Sequence, residues 1–159
     1  MEARLNLTKV APQGAYEAVR ALQQYVNSSG LEHKLLQLVE IRASQINGCA
    51  YCIDMHTKDA RALGETEQRL YLLDAWRESP FYSDRERAAL EWTEALTLIT
   101  QGHAPDDVYA RVSKQFSPEE LVNLSVAIGT INTWNRLCIA FRSVPGEYQS
   151  HLKPLKASA

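Results

Sequence analysis

The stretch Cys49-Ala50-Tyr51-Cys52-Ile53-Asp54-Met55-His56 places two thiols three positions apart and an imidazole four positions after the second thiol. Residues at i, i+3 and i+4 of an α-helix lie one above another, so the spacing predicts that Cys49, Cys52 and His56 share one helix face. Thiols can be oxidised and reduced, and an imidazole can move protons near neutral pH. The stretch therefore indicates a redox site on a helix.

The sequence around this stretch has the periodicity of successive helices. Apolar positions recur at a helical period before the first cysteine, and Asn47-Gly48 is a turn signal in which Asn47 is expected to serve as a turn or N-cap residue. Ser83 and Ser117 are each followed three positions later by glutamate, the pattern of a capping box. Helices are predicted for residues 13–27, 31–45, 49–63, 65–76, 84–100, 106–114 and 118–141.

Strand alternation is absent from this pattern, so we expect an all-α fold. The chain of 159 residues suits one domain, a helical bundle of about six to eight helices over 1–159. The final helix is apolar around most of its circumference, but its asparagines and Arg136 interrupt the run too often for a membrane span. This helix is therefore predicted to lie in the core or at a subunit interface, and Arg136 is expected to need a polar partner.

Composition and charge narrow the class of protein. Apolar residues make up 45% and charged residues 23% of the chain, as in ordinary globular proteins. The net charge of −2 gives no electrostatic case for binding nucleic acid or an anionic membrane. The N-terminal residues lack the layout of a signal peptide, so we expect a cytoplasmic protein, in which cysteines favour a catalytic or metal role over a structural disulfide.

The cysteine motif has less specific interpretations that stay open at this point. A structural zinc site needs four ligands, and Cys49, Cys52 and His56 supply three. A fourth ligand would have to come from His33, His103 or Cys138. We expect no metal, and we expect Cys138 to be a small buried hydrophobe. Alternatively, His56 is a core histidine whose ring is hydrogen-bonded to a backbone carbonyl.

The predicted position of the thiols at a helix start bears on their acidity. A helix N-terminus carries partial positive charge, which stabilises a thiolate. We therefore expect the pKa of the thiols to fall, most strongly for Cys49, which lies nearer the N-terminus. His56 lies one turn after Cys52 and is expected to accept its proton.

Two segments, residues 44–57 and 123–142, closely resemble the alkyl hydroperoxidase D-like proteins of the carboxymuconolactone decarboxylase superfamily. The resemblance implies an all-α subunit that assembles into a homo-oligomer, a trimer or a hexamer. It also implies a thiol-dependent peroxidase that uses no haem, flavin or metal, and hence no cofactor. By this resemblance Cys52 attacks the peroxide, Cys49 resolves the product as a disulfide, and His56 relays protons.

The chain departs from the family pattern at one position. The family relay includes a glutamate twelve positions before the first cysteine, and that position is Gln37 here. A glutamine can orient an imidazole or a water but cannot take a proton. Glu40 follows one helical turn later, and two placements are open for it: a solvated helix face, or the same relay, in which it would replace the missing carboxylate.

The expected function is the reduction of organic hydroperoxides or hydrogen peroxide. The resemblance implies that a dithiol protein, lipoylated or thioredoxin-like, reduces the disulfide again. Two alternatives remain: a redox-sensing or scaffold oligomer without efficient turnover, and a decarboxylase of the same superfamily. The intact pair of cysteines argues against the decarboxylase, because decarboxylation has no evident need for two thiols.

Overall fold

Eight α-helices form the secondary structure in the computed structural model, which describes residues 2–152. They are α1 (Leu7–Val10), α2 (Gln13–Asn27), α3 (His33–Asn47), α4 (Ala50–Ala62), α5 (Glu67–Tyr71), α6 (Asp84–Thr97), α7 (Asp106–Val112) and α8 (Pro118–Phe141). Short 3₁₀ turns follow at Leu73–Ala75 and Ile99–Gln101, and no strand occurs among the described residues. The predicted all-α fold and number of helices are confirmed for this range.

Helix α3 is the centre of the fold, because it packs against α4, α6 and α8. Leu36 and Val39 face a core cluster that includes Leu124 and Ile128 of α8. Leu38 and Ile41 face a second cluster on the α4 and α6 side. Each fully buried side chain of this size stabilises the fold by about 1.5–3 kcal/mol, so α3 is held on several sides at once.

The predicted helix ends were partly wrong. Helices α6 and α8 begin at Ser83 and Ser117, and both capping boxes are complete, as the sequence predicted. The segment 65–76 is not one helix, because Leu72 leaves α5 and a 3₁₀ turn follows. Helix α6 stops at Thr97 rather than at residue 100, where another 3₁₀ turn takes over.

The junction between α3 and α4 places the cysteine motif. Gly48 ends α3 with a φ of 71°, a left-handed conformation that suits glycine. The backbone N–H of Cys49 then donates to Ser44 O at 2.9 Å. Because Cys49, and not Asn47, is the N-cap of α4, the chain reverses within two residues and lays the cysteines against α3.

Buried amides fasten α8 to the end of α3. Asn47 Nδ2 donates to Asn132 Oδ1 at 3.0 Å and to Asn135 Oδ1 at 2.8 Å. Asn135 Nδ2 donates to Ser44 Oγ at 3.0 Å. Asn47 therefore links two helices instead of serving a turn, and α8 is fixed in register against α3.

Two further expectations for α8 were a polar partner for Arg136 and the lack of a membrane span. Arg136 is exposed, and its Nη1 donates to Asn132 O at 2.9 Å and to Asn132 Oδ1 at 3.1 Å, which supplies the expected polar partner. No helix within residues 2–152 combines the length and the apolar character that crossing a bilayer requires.

Candidate redox site

The two cysteines of the motif lie at the start of α4. Cys49 is the N-cap and Cys52 is in the first turn, and each is 1% exposed. Both are free thiols, and His56 follows one turn later on the same buried face. The predicted sharing of one helix face by these three residues is confirmed.

Cys138 of α8 completes a cluster of three thiols. The sulfur atoms of Cys49, Cys52 and Cys138 all lie within 4.8 Å of one another. Ala43 and Ile131 are packed with them in one buried cluster. Cys138 is buried, as expected, and the sequence offered it only as one of three possible zinc ligands, because the packing of α8 against α3 and α4 is what brings it to the pair.

His56 is held from the opposite side by α3. Its Nδ1 lies 2.9 Å from Gln37 Oε1 and 3.2 Å from Glu40 Oε2. Gln37 Nε2 donates to Glu40 Oε2 at 3.1 Å, which fixes Gln37 Oε1 as an acceptor. Both atoms near Nδ1 are therefore acceptors, so Nδ1 carries a hydrogen and Nε2 is left to accept a proton.

Glu40 is a buried carboxylate, 2% exposed, and the solvated placement left open by the sequence is wrong. A buried charge needs hydrogen-bond donors around it. Gln23 Nε2 of α2 donates to Glu40 Oε1 at 2.9 Å, while Gln37 and His56 face Oε2. Three helices thus hold one carboxylate against the imidazole, and Gln23 is a site residue that sequence reasoning missed.

The acidities of the three thiols differ from the sequence-based expectation. Hydrogen bonds from the thiols of Cys49 and then Cys52 lower the pKa of Cys138, and burial opposes this effect. For Cys52, the hydrogen bond with Cys138 raises the pKa first, followed by the bond with Cys49 and by burial. The hydrogen bond with Cys138 likewise raises the pKa of Cys49 to about 11. The prediction that the motif thiols become more acidic is therefore wrong, because a third thiol draws the negative charge to itself.

The same cluster bears on the zinc alternative. Three sulfur atoms within 4.8 Å are a possible set of metal ligands. In the described part of the chain the set stops at three cysteines, and His56 is not among them. A closed structural zinc site has four ligands, so the described residues supply an incomplete one.

These features define a class of protein: an all-helical fold with a buried thiol pair at the start of a helix and, one turn later, a histidine held by a carboxylate. A model of the carboxymuconolactone decarboxylase family matches residues 13–95. The chain belongs to this family, and it is an alkyl hydroperoxidase D-like member of the superfamily, as the resemblance indicated.

Relatives and solved structures agree with this assignment. The uncharacterized protein YdfG of Bacillus subtilis is 46% identical over 140 residues, which cover 88% of this chain and 95% of that protein. A protein of unknown function from Agrobacterium tumefaciens, described as a putative antioxidant defence protein AhpD, is 49% identical with a TM-score of 0.89, over 92% of this chain and 100% of that chain. An uncharacterized peroxidase-related protein from Ralstonia eutropha, described as an alkylhydroperoxidase AhpD core, has a TM-score of 0.78 at 15% identity, over 89% of this chain and 75% of that chain, and shows the fold alone.

Proposed function

We propose that this protein is a thiol peroxidase that reduces organic hydroperoxides or hydrogen peroxide. The observation that carries the proposal is the placement of His56 one turn after Cys52 on the buried side of α4, with Nδ1 3.2 Å from the buried carboxylate of Glu40. A nucleophile, a second thiol and an oriented base then lie in one buried site, which is what a disulfide-forming peroxidase needs.

The first step is the attack of Cys52 on the peroxide. Because hydrogen bonding and burial raise its pKa, Cys52 rests as a thiol and needs a base. His56 takes the proton at Nε2 while Gln37 and Glu40 hold the ring through Nδ1. The thiolate attacks the terminal peroxide oxygen and the O–O bond breaks, so the products are a Cys52 sulfenic acid and an alkoxide, which takes the proton from His56 and leaves as the alcohol.

The second step closes a disulfide. The Cys49 sulfur attacks the sulfur of the Cys52 sulfenic acid, the S–O bond breaks, and the hydroxyl leaves as water with the proton of Cys49. One peroxide is thus reduced to one alcohol and one water while two thiols become one disulfide. A lipoylated or thioredoxin-like dithiol protein then returns the pair to the reduced state by exchange, which suits a cytoplasmic location.

The proposal includes a homo-oligomer, a trimer or a hexamer. Its support is the outer face of α8, where Val122, Gly129 and Arg136 recur at seven-residue spacing and are exposed. Val122 is 62% exposed, and Gly129 has no side chain to keep another helix at a distance.

Stopped-flow oxidation of the reduced protein by cumene hydroperoxide tests the function. We expect fast oxidation of Cys52 in the wild type and in Cys49→Ser, and its absence in Cys52→Ser. Oxidation no faster than that of a free thiol in every form would overturn the peroxidase.

Two further measurements separate the alternatives. Fast oxidation with no recycling by any dithiol protein would favour the redox-sensing or scaffold oligomer. Decarboxylation of a muconolactone that survives in Cys49→Ser/Cys52→Ser would favour the decarboxylase, because that reaction leaves the thiols unused.

A further inference from the structure

We propose that Cys138 is a third redox-active thiol, which pairs with Cys52 in a disulfide and so acts as a second resolving cysteine. The proposal rests on the proposed peroxidase for its oxidant in the cell, but the pairing itself depends only on the geometry of the three-thiol cluster. It goes beyond the two-cysteine cycle, because that cycle assigns Cys138 no part.

Distance is the first argument. The sulfur atoms of Cys138 and Cys49 each lie within 4.8 Å of the Cys52 sulfur. A thiol side chain turns about a single χ1 bond, and a disulfide needs an S–S distance of about 2.05 Å, so sulfurs this close are the candidates for pairing. Cys138 is therefore placed as a partner of Cys52 in the same way as Cys49, although it is 86 positions away in sequence.

Burial is the second argument. Cys52 is 1% exposed and Cys138 is 7% exposed, and both belong to one packed cluster with Ala43 and Ile131. An external thiol has little access to a sulfenic acid formed at such a position. The thiols that can reach it first are the two already in contact with it, Cys49 and Cys138.

Charge is the third argument. Resolution of a sulfenic acid is an attack by a thiolate rather than by a thiol. Hydrogen bonds from Cys49 and Cys52 favour the thiolate form at Cys138, whereas Cys49 is held as a thiol. The Cys138 sulfur is thus favoured as a thiolate, whereas Cys49 must lose its proton as it attacks, as in the second step of the proposed cycle.

The step balances without a further reactant. The Cys138 thiolate attacks the sulfur of the Cys52 sulfenic acid, the S–S bond forms, and the S–O bond breaks. The hydroxide that leaves takes a proton and becomes water. The peroxide has supplied the two oxidising equivalents, and Cys49 remains as a thiol.

Variants of the cluster test the pairing. Reduced Cys49→Ser is treated with one equivalent of cumene hydroperoxide or, separately, of the thiol oxidant diamide, then alkylated, digested and analysed by mass spectrometry. We expect a Cys52–Cys138 disulfide with both oxidants, formed within about tenfold of the rate of disulfide formation in the wild type. Cys49→Ser/Cys138→Ser should form none and should instead accumulate a Cys52 sulfenic acid under peroxide.

The two oxidants separate this inference from the peroxidase. A Cys49→Ser protein that forms no Cys52–Cys138 disulfide with either oxidant, but accumulates a Cys52 sulfenic acid with peroxide, would overturn the pairing and leave the peroxidase standing. A Cys52–Cys138 disulfide with diamide, together with no reaction with peroxide in any form, would sustain the pairing and overturn the peroxidase.

The wild type provides a check that does not depend on the folding of a variant. After one equivalent of oxidant, we expect peptides of both the Cys49–Cys52 and the Cys52–Cys138 disulfides. Cys138→Ser is the matched control, in which the Cys49–Cys52 disulfide alone should form. A wild-type digest in which Cys138 is fully alkylated at every time point would overturn the proposal.

Discussion

Glu40 Oε2 lies 3.2 Å from His56 Nδ1, although the family pattern places its carboxylate three residues earlier, where this chain has Gln37. Positions 37 and 40 are one helical turn apart on α3, so both side chains reach the same imidazole. In this chain the carboxylate beside the imidazole comes from position 40, and Gln37 Nε2 donates to it at 3.1 Å.

The first prediction concerns this carboxylate. Glu40→Gln should lower the rate constant of Cys52 oxidation by cumene hydroperoxide by about tenfold or more, because proton transfer by a positioned group contributes about 10²–10⁴ in rate. Stopped-flow kinetics over a range of pH measure the effect, and the pH profile should change as well as the rate.

A matched control separates this role from a loss of stability. Glu17→Gln removes an exposed carboxylate on α2 and should leave rate and pH profile unchanged. A Glu40→Gln protein with an unaltered pH profile would show that Glu40 only supports the fold.

The second prediction concerns the charge of the thiol cluster. Because the thiols of Cys49 and Cys52 donate to Cys138 and lower its pKa, the reduced protein should carry one thiolate at pH 7. Ultraviolet absorbance of the thiolate, followed during a pH titration, should detect it, and Cys138→Ser should remove it. The absence of any thiolate below about pH 8 in the wild type would contradict the shared charge.

The third prediction concerns the buried amides between α3 and α8. Asn135 is fully buried and bonds to both Asn47 and Ser44. Asn135→Ala removes both hydrogen bonds at a fully buried position and should lower the free energy of unfolding by about 1–3 kcal/mol. Urea unfolding measures the loss, and Gln24→Ala on the exposed side of α2 should change it by less than about 0.5 kcal/mol.

The fourth prediction concerns acid stability. Burial raises the pKa of Glu94, but hydrogen bonds from Trp76 and Arg77 and the charge of Arg42 outweigh burial and hold it below 4.5. A carboxylate with a lowered pKa in the folded state stabilises the fold above its unfolded pKa, and this contribution is lost as pH falls through the folded pKa. The free energy of unfolding should therefore fall below about pH 4.5.

Substitution of Glu94 tests whether this loss of stability in acid comes from its carboxylate. Glu94→Gln should be less stable than the wild type at neutral pH and should lose less stability on acidification. Glu78→Gln, an exposed control, should keep the acid profile of the wild type. Equal acid profiles for wild type and Glu94→Gln would contradict the assignment.

The fifth prediction concerns assembly. A Cβ at Gly129 would meet no atom of the described residues within 4 Å, so Gly129→Arg should leave the isolated subunit folded. If the outer face of α8 joins subunits, the same change should convert a trimer or hexamer to monomers in analytical ultracentrifugation. Gln68→Arg on exposed α5 is the control, and unchanged assembly in Gly129→Arg would exclude this face.

Local sequence signals gave much of the fold correctly. The serines with glutamate three positions later started α6 and α8 where predicted, because a capping box is satisfied by its own neighbours. The periodicity over 13–27 gave both ends of α2. The segment 65–76 was missed as two pieces, because no glycine or proline marks the break at Leu72, after which a 3₁₀ turn packs against α3.

The candidate site, too, could be predicted from the sequence only in part. Helix geometry alone put Cys49, Cys52 and His56 on one face, since the i, i+3 and i+4 relation lies within one element. The other residues of the site lie on other helices: Glu40, Gln23 and Cys138. Sequence periodicity shows which residues share a face of one helix, but it does not show the distance between faces of different helices. An asparagine in an apolar helix, such as Asn135, was the available signal that this side of α8 faces something polar.

The sequence by itself determined the all-helical class, the caps and the order of thiols and imidazole along α4, because short-range hydrogen bonds and side-chain spacing decide these. Only the tertiary structure decided which groups surround the thiols. Packing of α8 on α3 brings a third sulfur to the pair, and hydrogen bonds with that sulfur, together with burial, raise the pKa of Cys49 and Cys52 instead of lowering it.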